Sequence, residues 1–410
     1  MVRILLFIFL SVNVLSAQPL QIRPGSESVK DGDNRMQVND WRGAVGDYTT
    51  AINADPGFAD AYYKRSVALT KLARFSEALK DQTEAQRLNP DILNIYDSRA
   101  QLRMLVEDYP GAVEDYTRAI QGDPTQTELY NRKAHAEMAA GDFTAAVSSY
   151  DKLIAKEDRD TLAYVFRALA NIKLKNYPAA EKDINTALSL DAKNTIALEV
   201  WGLLLIEQQQ YPQAISVLDK AIMINPDFAL AFYNRGVAKR LSEDNIGADI
   251  DFSRAIELDL NITTAYFNRA MAKRQLGQAE ASIEDYDKAL TLDKNYVEAM
   301  FFRGLTKKLL GDYQGAIEDY DRALAINPKD VEALNNRANV RMLFGDYNQA
   351  ITDYNQAIRL NESYGIAYYN RAIAYMMSSK RMEACSDFRS SLDLGYLPAS
   401  TALDDFCAVR

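Results

Sequence analysis

A proline that closes one stretch of the chain returns at a fixed distance. Pro56, Pro90, Pro124, Pro226 and Pro328 are separated by 34 residues or multiples of 34. The peptide AFYNRGVAKR (231–240) is rewritten in step as AYFNRAMAKR (265–274), AMFFRGLTKK (299–308), ALNNRANVRM (333–342) and AYYNRAIAYM (367–376). A length of 410 residues alone would suggest two or three globular domains. The period overrules that expectation, because repeats of this size stack on their neighbours into one elongated array.

Dividing the chain on this spacing yields eleven repeats, beginning at residues 25, 59, 93, 127, 161, 195, 229, 263, 297, 331 and 365. Position eight of each is small, as in Ser66, Ala134, Gly236 and Gly304, and so is position twenty, as in Ala78, Ala146, Ala248 and Ala316. Between them lies a turn such as LLGDY (309–313), whose glycine suits a helix C-cap. The second segment, for example YQGAIEDYDRALAI (313–326), carries apolar residues at three- and four-residue spacing. It stops before proline, since the preceding residue resists the helical region. Each repeat therefore reads as a helical hairpin, and the fold class is all-α.

These residues resemble the tetratricopeptide repeat family, strongly over 59–398 and more loosely over 25–58. Large residues at position four, small ones at eight and twenty, alanine at 27 and proline at 32 carry the resemblance. It implies a right-handed superhelical solenoid of about eleven helical hairpins, with the first helices lining a concave groove. The last residues, 399–410, are expected to form a C-terminal capping helix. The family's usual leucine at position seven is mostly arginine here. An aspartate usually follows sixteen residues later, as in Arg65/Asp81, Arg99/Asp115, Arg167/Asp183, Arg235/Asp251, Arg269/Asp285, Arg303/Asp319, Arg337/Asp353 and Arg371/Asp387. In repeats six and four the pair is lost and both members change together, as Trp201/Val217 and Lys133/Ser149. The covariation predicts a packing ion pair within each hairpin. Pairing with the next repeat's aspartate fits worse, since Trp201 would then face an intact one.

The N-terminus places Arg3 before an apolar run from Ile4 to Leu15, followed by Ser16 and Ala17. These 12 residues are short of the roughly 20 needed to span a bilayer. Residues 1–17 therefore read as a secretory signal peptide, with an uncleaved anchor as the alternative. Residues 18–24 read as an unstructured leader, and 25–58 as an atypical repeat with a weak, solvated first helix. The expected location is the exported side, periplasmic or secreted, with a bacterial envelope foremost. No later stretch is long and apolar enough to be an integral membrane segment. Cys385 and Cys407, the only two cysteines, are a candidate disulfide in that setting, two free thiols being the alternative. The net charge of -10 disfavours nucleic acid as a partner.

No catalytic motif of the P-loop, nucleophile-elbow or zincin type is present, and the single histidine, His135, lacks metal-ligand companions. The expectation is a non-enzymatic protein without cofactor or metal. The informative variation lies on the first helices of repeats seven to nine. Position five reads Tyr233, Phe267, Phe301; position nine Val237, Met271, Leu305; position twelve Arg240, Arg274, Lys308. Position eleven adds Lys239, Lys273, Lys307 and, in repeat ten, Arg341. An apolar floor edged by cations would hold another protein or peptide, acidic in character. Cations in a last helical turn also offset the helix dipole without any ligand. In the family, the clamp for chaperone C-termini needs asparagine and lysine at positions five and nine; the apolar position nine here departs from that pattern. The expected role is an interaction scaffold supporting an envelope complex. Alternatives are an accessory protein for an anionic surface polymer or glycan, and a lumenal co-chaperone. Repeat six, the most apolar, is either a second contact patch or a dry joint.

Overall fold

The computed structural model describes residues 23–90, 93–258 and 261–407. The signal peptide read over 1–17 and the leader up to residue 22 lie outside these. Every element among the described residues is helical, and the chain divides into two compact units at Asn176/Tyr177.

The first unit pairs α1 (Ser26–Gln37) with α2 (Trp41–Ala54), α3 (Ala59–Lys71) with α4 (Phe75–Leu88), α5 (Leu93–Leu105) with α6 (Tyr109–Gly122), and α7 (Thr127–Ala139) with α8 (Phe143–Ile154). It ends with α9 (Thr161–Lys173) packed on α8. The second unit opens with α10 (Tyr177–Leu190), followed by the pairs α11 (Thr195–Glu207) and α12 (Tyr211–Ile224), then α13 (Ala229–Leu241) and α14 (Asn245–Glu257). Next come α15 (Thr263–Gln275) with α16 (Ala279–Leu292), and α17 (Val297–Leu309) with α18 (Tyr313–Ile326). The pairs α19 (Val331–Phe344) with α20 (Tyr347–Leu360) and α21 (Gly365–Met377) with α22 (Arg381–Asp393) lead to α23 (Pro398–Cys407).

Each hairpin follows from local chemistry. The residue at position fifteen adopts positive φ in all eleven repeats, which reverses the chain after the first helix. An aspartate at position sixteen commonly starts the second helix, as Asp312 does by accepting the N–H of Gly315 at 2.9 Å. Asn327, before Pro328, leaves the helical region with φ -120° and ψ 83° and ends it. The small residue at position eight then receives the ring at position twenty-four. A Cβ on Gly236 would stand 2.8 Å from Phe252, and one on Gly304 3.1 Å from Tyr320. Tyr48, Tyr150, Phe252, Tyr286, Tyr320, Tyr354 and Phe388, all at that position, are essentially inaccessible. Each such ring contributes roughly 2–3 kcal/mol by burial.

Arg65, Arg99, Arg235, Arg269, Arg303, Arg337 and Arg371, all at position seven, form the expected forked pair with the aspartate of their own hairpin. In Arg235 the distances from Nε and Nη2 to Asp251 are 2.8 and 2.6 Å. Its Nη1 also reaches back 2.6 Å to Asp219 at position twenty-five of the preceding repeat. Arg65, Arg269, Arg303, Arg337 and Arg371 use that position likewise, through Thr49, Ser253, Asp287, Asp321 and Asn355. The ladder thus joins repeats as well as the two helices of one hairpin. Its cross-repeat contact avoids the neighbouring position twenty-three altogether.

The departures are instructive. In repeat four the rung is inverted: Lys133 pairs with Glu137 on its own helix, 3.3 Å away, in place of the aspartate lost at Ser149. Repeat one, read as weak, is a regular hairpin because its polar residues have work within it. Arg35 bonds Asp47 and Asp40, while Asp33 accepts the Tyr48 hydroxyl. Arg23, at the end of the leader span, bonds Asp55 and lies 4.3 Å over the Phe58 ring. At the other end Cys385 and Cys407 stand as a pair, with Cα atoms 5.6 Å apart.

Candidate functional site

In the second unit the first helices of successive repeats meet one another from α11 through α21. This inner row presents positions five, nine and twelve, and all nine residues expected to form the site are half-buried on it.

The apolar members are drawn into the packing more than a bare floor would be. The Tyr233 ring lies 5.8 Å from Phe252, and its hydroxyl accepts a hydrogen bond from Asn268 Nδ2 at 3.2 Å. Val237 packs on the same cluster. Phe267 sits among Tyr286, Tyr296 and Phe302, with centroids 6.0, 5.1 and 5.9 Å away. Met271 accepts the Tyr286 hydroxyl at 3.2 Å. Phe301 contacts Phe302 and Tyr320, and Leu305 is half-buried beside the row.

The two cationic rows separate sharply. Those of position eleven belong to the ladder: Lys239, Lys273, Lys307 and Arg341 reach Asp251, Asp285, Asp319 and Asp353 at 2.8, 2.9, 3.0 and 2.7 Å. This corrects their reading as part of the groove edge. One residue advances a helix by about 100°, so position eleven turns toward the second helix while position twelve stays on the inner row. Among the described residues Arg240, Arg274 and Lys308 make no hydrogen bond or ion pair. The Nε atoms of Arg240 and Arg274 are buried without an acceptor. Burial pulls the Arg240 guanidinium below its ordinary value. Arg274 lies 5.9 Å over the Phe302 ring.

A third buried donor lies close by. Tyr48 and Tyr354 donate from position twenty-four to Asp33 and Asn339 at position nine. In the repeat of Tyr320 position nine is Leu305, which has no acceptor to offer, and the Tyr320 hydroxyl, on a residue with no exposed surface, has no partner among the described residues. The sequence signal existed, in the pairing of position twenty-four with position nine, but it emerges only once the two are seen to touch.

The opposite end of this row was missed. At the starts of α17 and α19 an open cavity of 490 Å³ is walled by Tyr296, Phe301 and Phe302, and rimmed by Asp293, Glu298, Asp330 and Glu332. The inner row therefore runs from a negative rim, over aromatic rings, to unpaired cations. His135 lies 4.7 Å from Phe166, its Nδ1 2.9 Å from the Asn131 carbonyl, and acts as a packing residue. Among the described residues no group of three or more His, Cys, Asp and Glu is placed to hold a metal. No helix there is long and apolar enough to cross a membrane.

Family comparison agrees with this architecture. Sequence models described as TPR repeat match residues 202–239, 304–343 and 339–378, and models described as tetratricopeptide repeat match 30–91, 131–195 and 263–296. A comparison with curated proteins finds no match. Among solved structures, a tetratricopeptide repeat protein from Parabacteroides merdae is similar at a TM-score of 0.54 and 18% identity, over 60% of this chain and 98% of that one. A chain of the APC/C hetero-tetramer Cut9-Hcn1 is similar at a TM-score of 0.51 and 16% identity, over 94% of this chain and 84% of that one. With repeat models matched along both units and the hairpins in place, the chain belongs to the tetratricopeptide repeat family.

Proposed function

We propose that this protein is a non-catalytic scaffold of the exported side that holds an acidic segment of a partner protein on the inner row of repeats seven to nine, and so supports assembly of an envelope complex. The tetratricopeptide fold is generally one of protein–protein interaction, which supplies the coarse part of this reading. The observation that carries the finer part is the row at position twelve. Its other members are Met36, Thr70, Met104, Met138, Ile172, Ile206, Met342 and Met376, so the fold itself asks for a mostly apolar residue there. Arg240, Arg274 and Lys308 break that rule three times in succession and have no counter-ion among the described residues. Dipole compensation is already served by position eleven. A partly desolvated guanidinium with no acceptor is costly until an anion arrives, and a carboxylate can satisfy it in a forked geometry. The carboxylates around the 490 Å³ cavity repel the same segment from the other end of the row, which favours one register.

The test is crosslinked capture from an envelope fraction by wild type and by the variant Arg240→Glu/Arg274→Glu/Lys308→Glu, with circular dichroism establishing equal helicity. Synthetic acidic segments of the captured partner are then titrated. Affinity should fall at least tenfold in the variant, and Phe301→Ala should weaken it further. Equal capture and equal affinity would falsify the reading. Binding that ignores Phe301 and collapses steeply with salt would assign the row to an anionic polymer instead.

A further inference from the structure

The sixth repeat replaces the ladder rung with apolar residues, Trp201 at position seven and Val217 at position twenty-three. With α10, α11 and α12 they line an open cavity of 640 Å³. The chain supplies its own control. The corresponding cleft of repeat two measures 310 Å³ and is lined by the Arg65/Asp81 pair with Arg74, Glu77 and Lys80. Losing the rung is thus accompanied by twice the space and by removal of nearly all the charge.

What remains has a definite chemistry. Trp201 is half-buried, packed on the cluster around Leu198 and Leu218 while one side faces the cavity. Its indole N–H makes no hydrogen bond among the described residues. Around it stand the carboxamides of Gln208, Gln210 and Gln213, also without hydrogen-bond partners there, and Glu181 is the one charged group on the described wall. No cation stands on that described wall to hold an anion. A lone carboxylate is little inducement for a strongly cationic ligand. A purely aliphatic ligand would leave the surrounding donors and acceptors unused.

We propose that this cleft binds a short neutral oligosaccharide of glucose-type configuration. Such a ring carries its hydroxyls around the equator and axial C–H groups on its faces. One face can lie on the indole, while the hydroxyls both donate to and accept from the carboxamides and donate to Glu181. The volume falls within the range of small-ligand clefts. The inference is independent of the acidic-segment site, which uses other residues of other repeats.

The experiment uses the full chain with Trp41→Phe, which leaves Trp201 as the sole tryptophan reporter. Cellotriose, maltotriose and chitotriose are titrated to millimolar concentration, followed by Trp emission and by calorimetry. At least one should give a saturable emission change with matching heat. The double variant Trp201→Arg/Val217→Asp rebuilds the rung that seven other repeats display, so it is designed to fold, and its thermal transition checks that. It should lose at least tenfold in affinity by calorimetry. Gln210→Ala/Gln213→Ala, which keeps the indole, should also weaken binding. Silence toward all three sugars, or full affinity in the rung-restored variant, overturns the proposal. The acidic-segment affinity should be unchanged in both double variants.

Discussion

Glu199 stands at position five of repeat six, 5% exposed, with Asn234 Nδ2 of the next repeat donating to its Oε1 and no cation at hand. Burial pushes its carboxyl up to about 7, partly offset by that hydrogen bond. The sign of the linkage follows. Between the ordinary carboxylate value and about 7 the folded chain keeps a proton that the unfolded chain has released, so stability falls as pH rises through this window. The whole loss amounts to roughly 3 kcal/mol, from about 1.4 kcal/mol per unit. Glu199→Gln keeps an acceptor for Asn234 and removes the titration. Followed by Trp201 emission in urea with Trp41→Phe in both chains, the variant should exceed its parent at about pH 8 and match it at about pH 4. Parallel pH profiles would rule this out. Burial of this carboxyl could not be read from the chain, because its covering partner lies 35 residues away. The 16-residue spacing of Arg235 and Asp251 was legible, since both members change together in repeats four and six. The second partner of Arg235, Asp219, was not, because position twenty-five tolerates any small polar residue.

At the scale of the hairpin, the reversal between helices is paid for unevenly. All eleven repeats place position fifteen at positive φ, yet only Gly141, Gly277, Gly311 and Gly345 are glycine there. Asn39, Ala73, Glu107, Lys175, Gln209, Glu243 and Ser379 hold the same conformation, with φ between 56° and 68°. A non-glycine residue in this region costs about 1 kcal/mol or more, least for asparagine. The packing of the small position-eight residue against the ring at position twenty-four sustains it. Ala73→Gly and Gln209→Gly should therefore stabilise their hairpins by about 0.5–1 kcal/mol each, after the unfolded chain's added freedom is subtracted. The denaturation midpoint should rise with an unchanged slope. No rise in either variant would show that the turn, rather than the residue, sets the cost. The repeat boundaries and the C-cap glycines were legible because period and turn chemistry agree. The seven non-glycine turns were hidden, since tertiary packing overrode local preference. The two cationic rows merged in the sequence because they are adjacent, and only the rotation of the helix parts them.

At the scale of the whole molecule, stability in a stacked array is a sum of hairpins and interfaces, so the ends are weakest. The C-terminal end of the second unit is protected by α23. Phe406 stacks on Phe388 with centroids 6.5 Å apart, and Arg381 Nε donates to the Phe406 carbonyl at 2.8 Å. The Cys385–Cys407 pair spans 22 residues, and in its oxidised state a loop of that length is worth about 3 kcal/mol in the chain-entropy model. Opening it by Cys407→Ser leaves the aromatic contact but lowers the free energy of detaching α23. Detachment uncovers the face formed by Ala384 and Phe388, which are otherwise inaccessible. Hydrogen exchange followed by mass spectrometry should then show lost protection in α23, less in α22 and α21, and none from α13 to α18. Acidic-segment binding on repeats seven to nine should persist, because each hairpin leans only on its neighbours and on its own ladder rung. The mass of the wild-type peptide containing both cysteines, before and after reduction, establishes that the bond is present to be lost. Uniform loss of protection across the second unit would mean that the unit opens as one cooperative block. The cap would then govern the binding row as well as the end it covers.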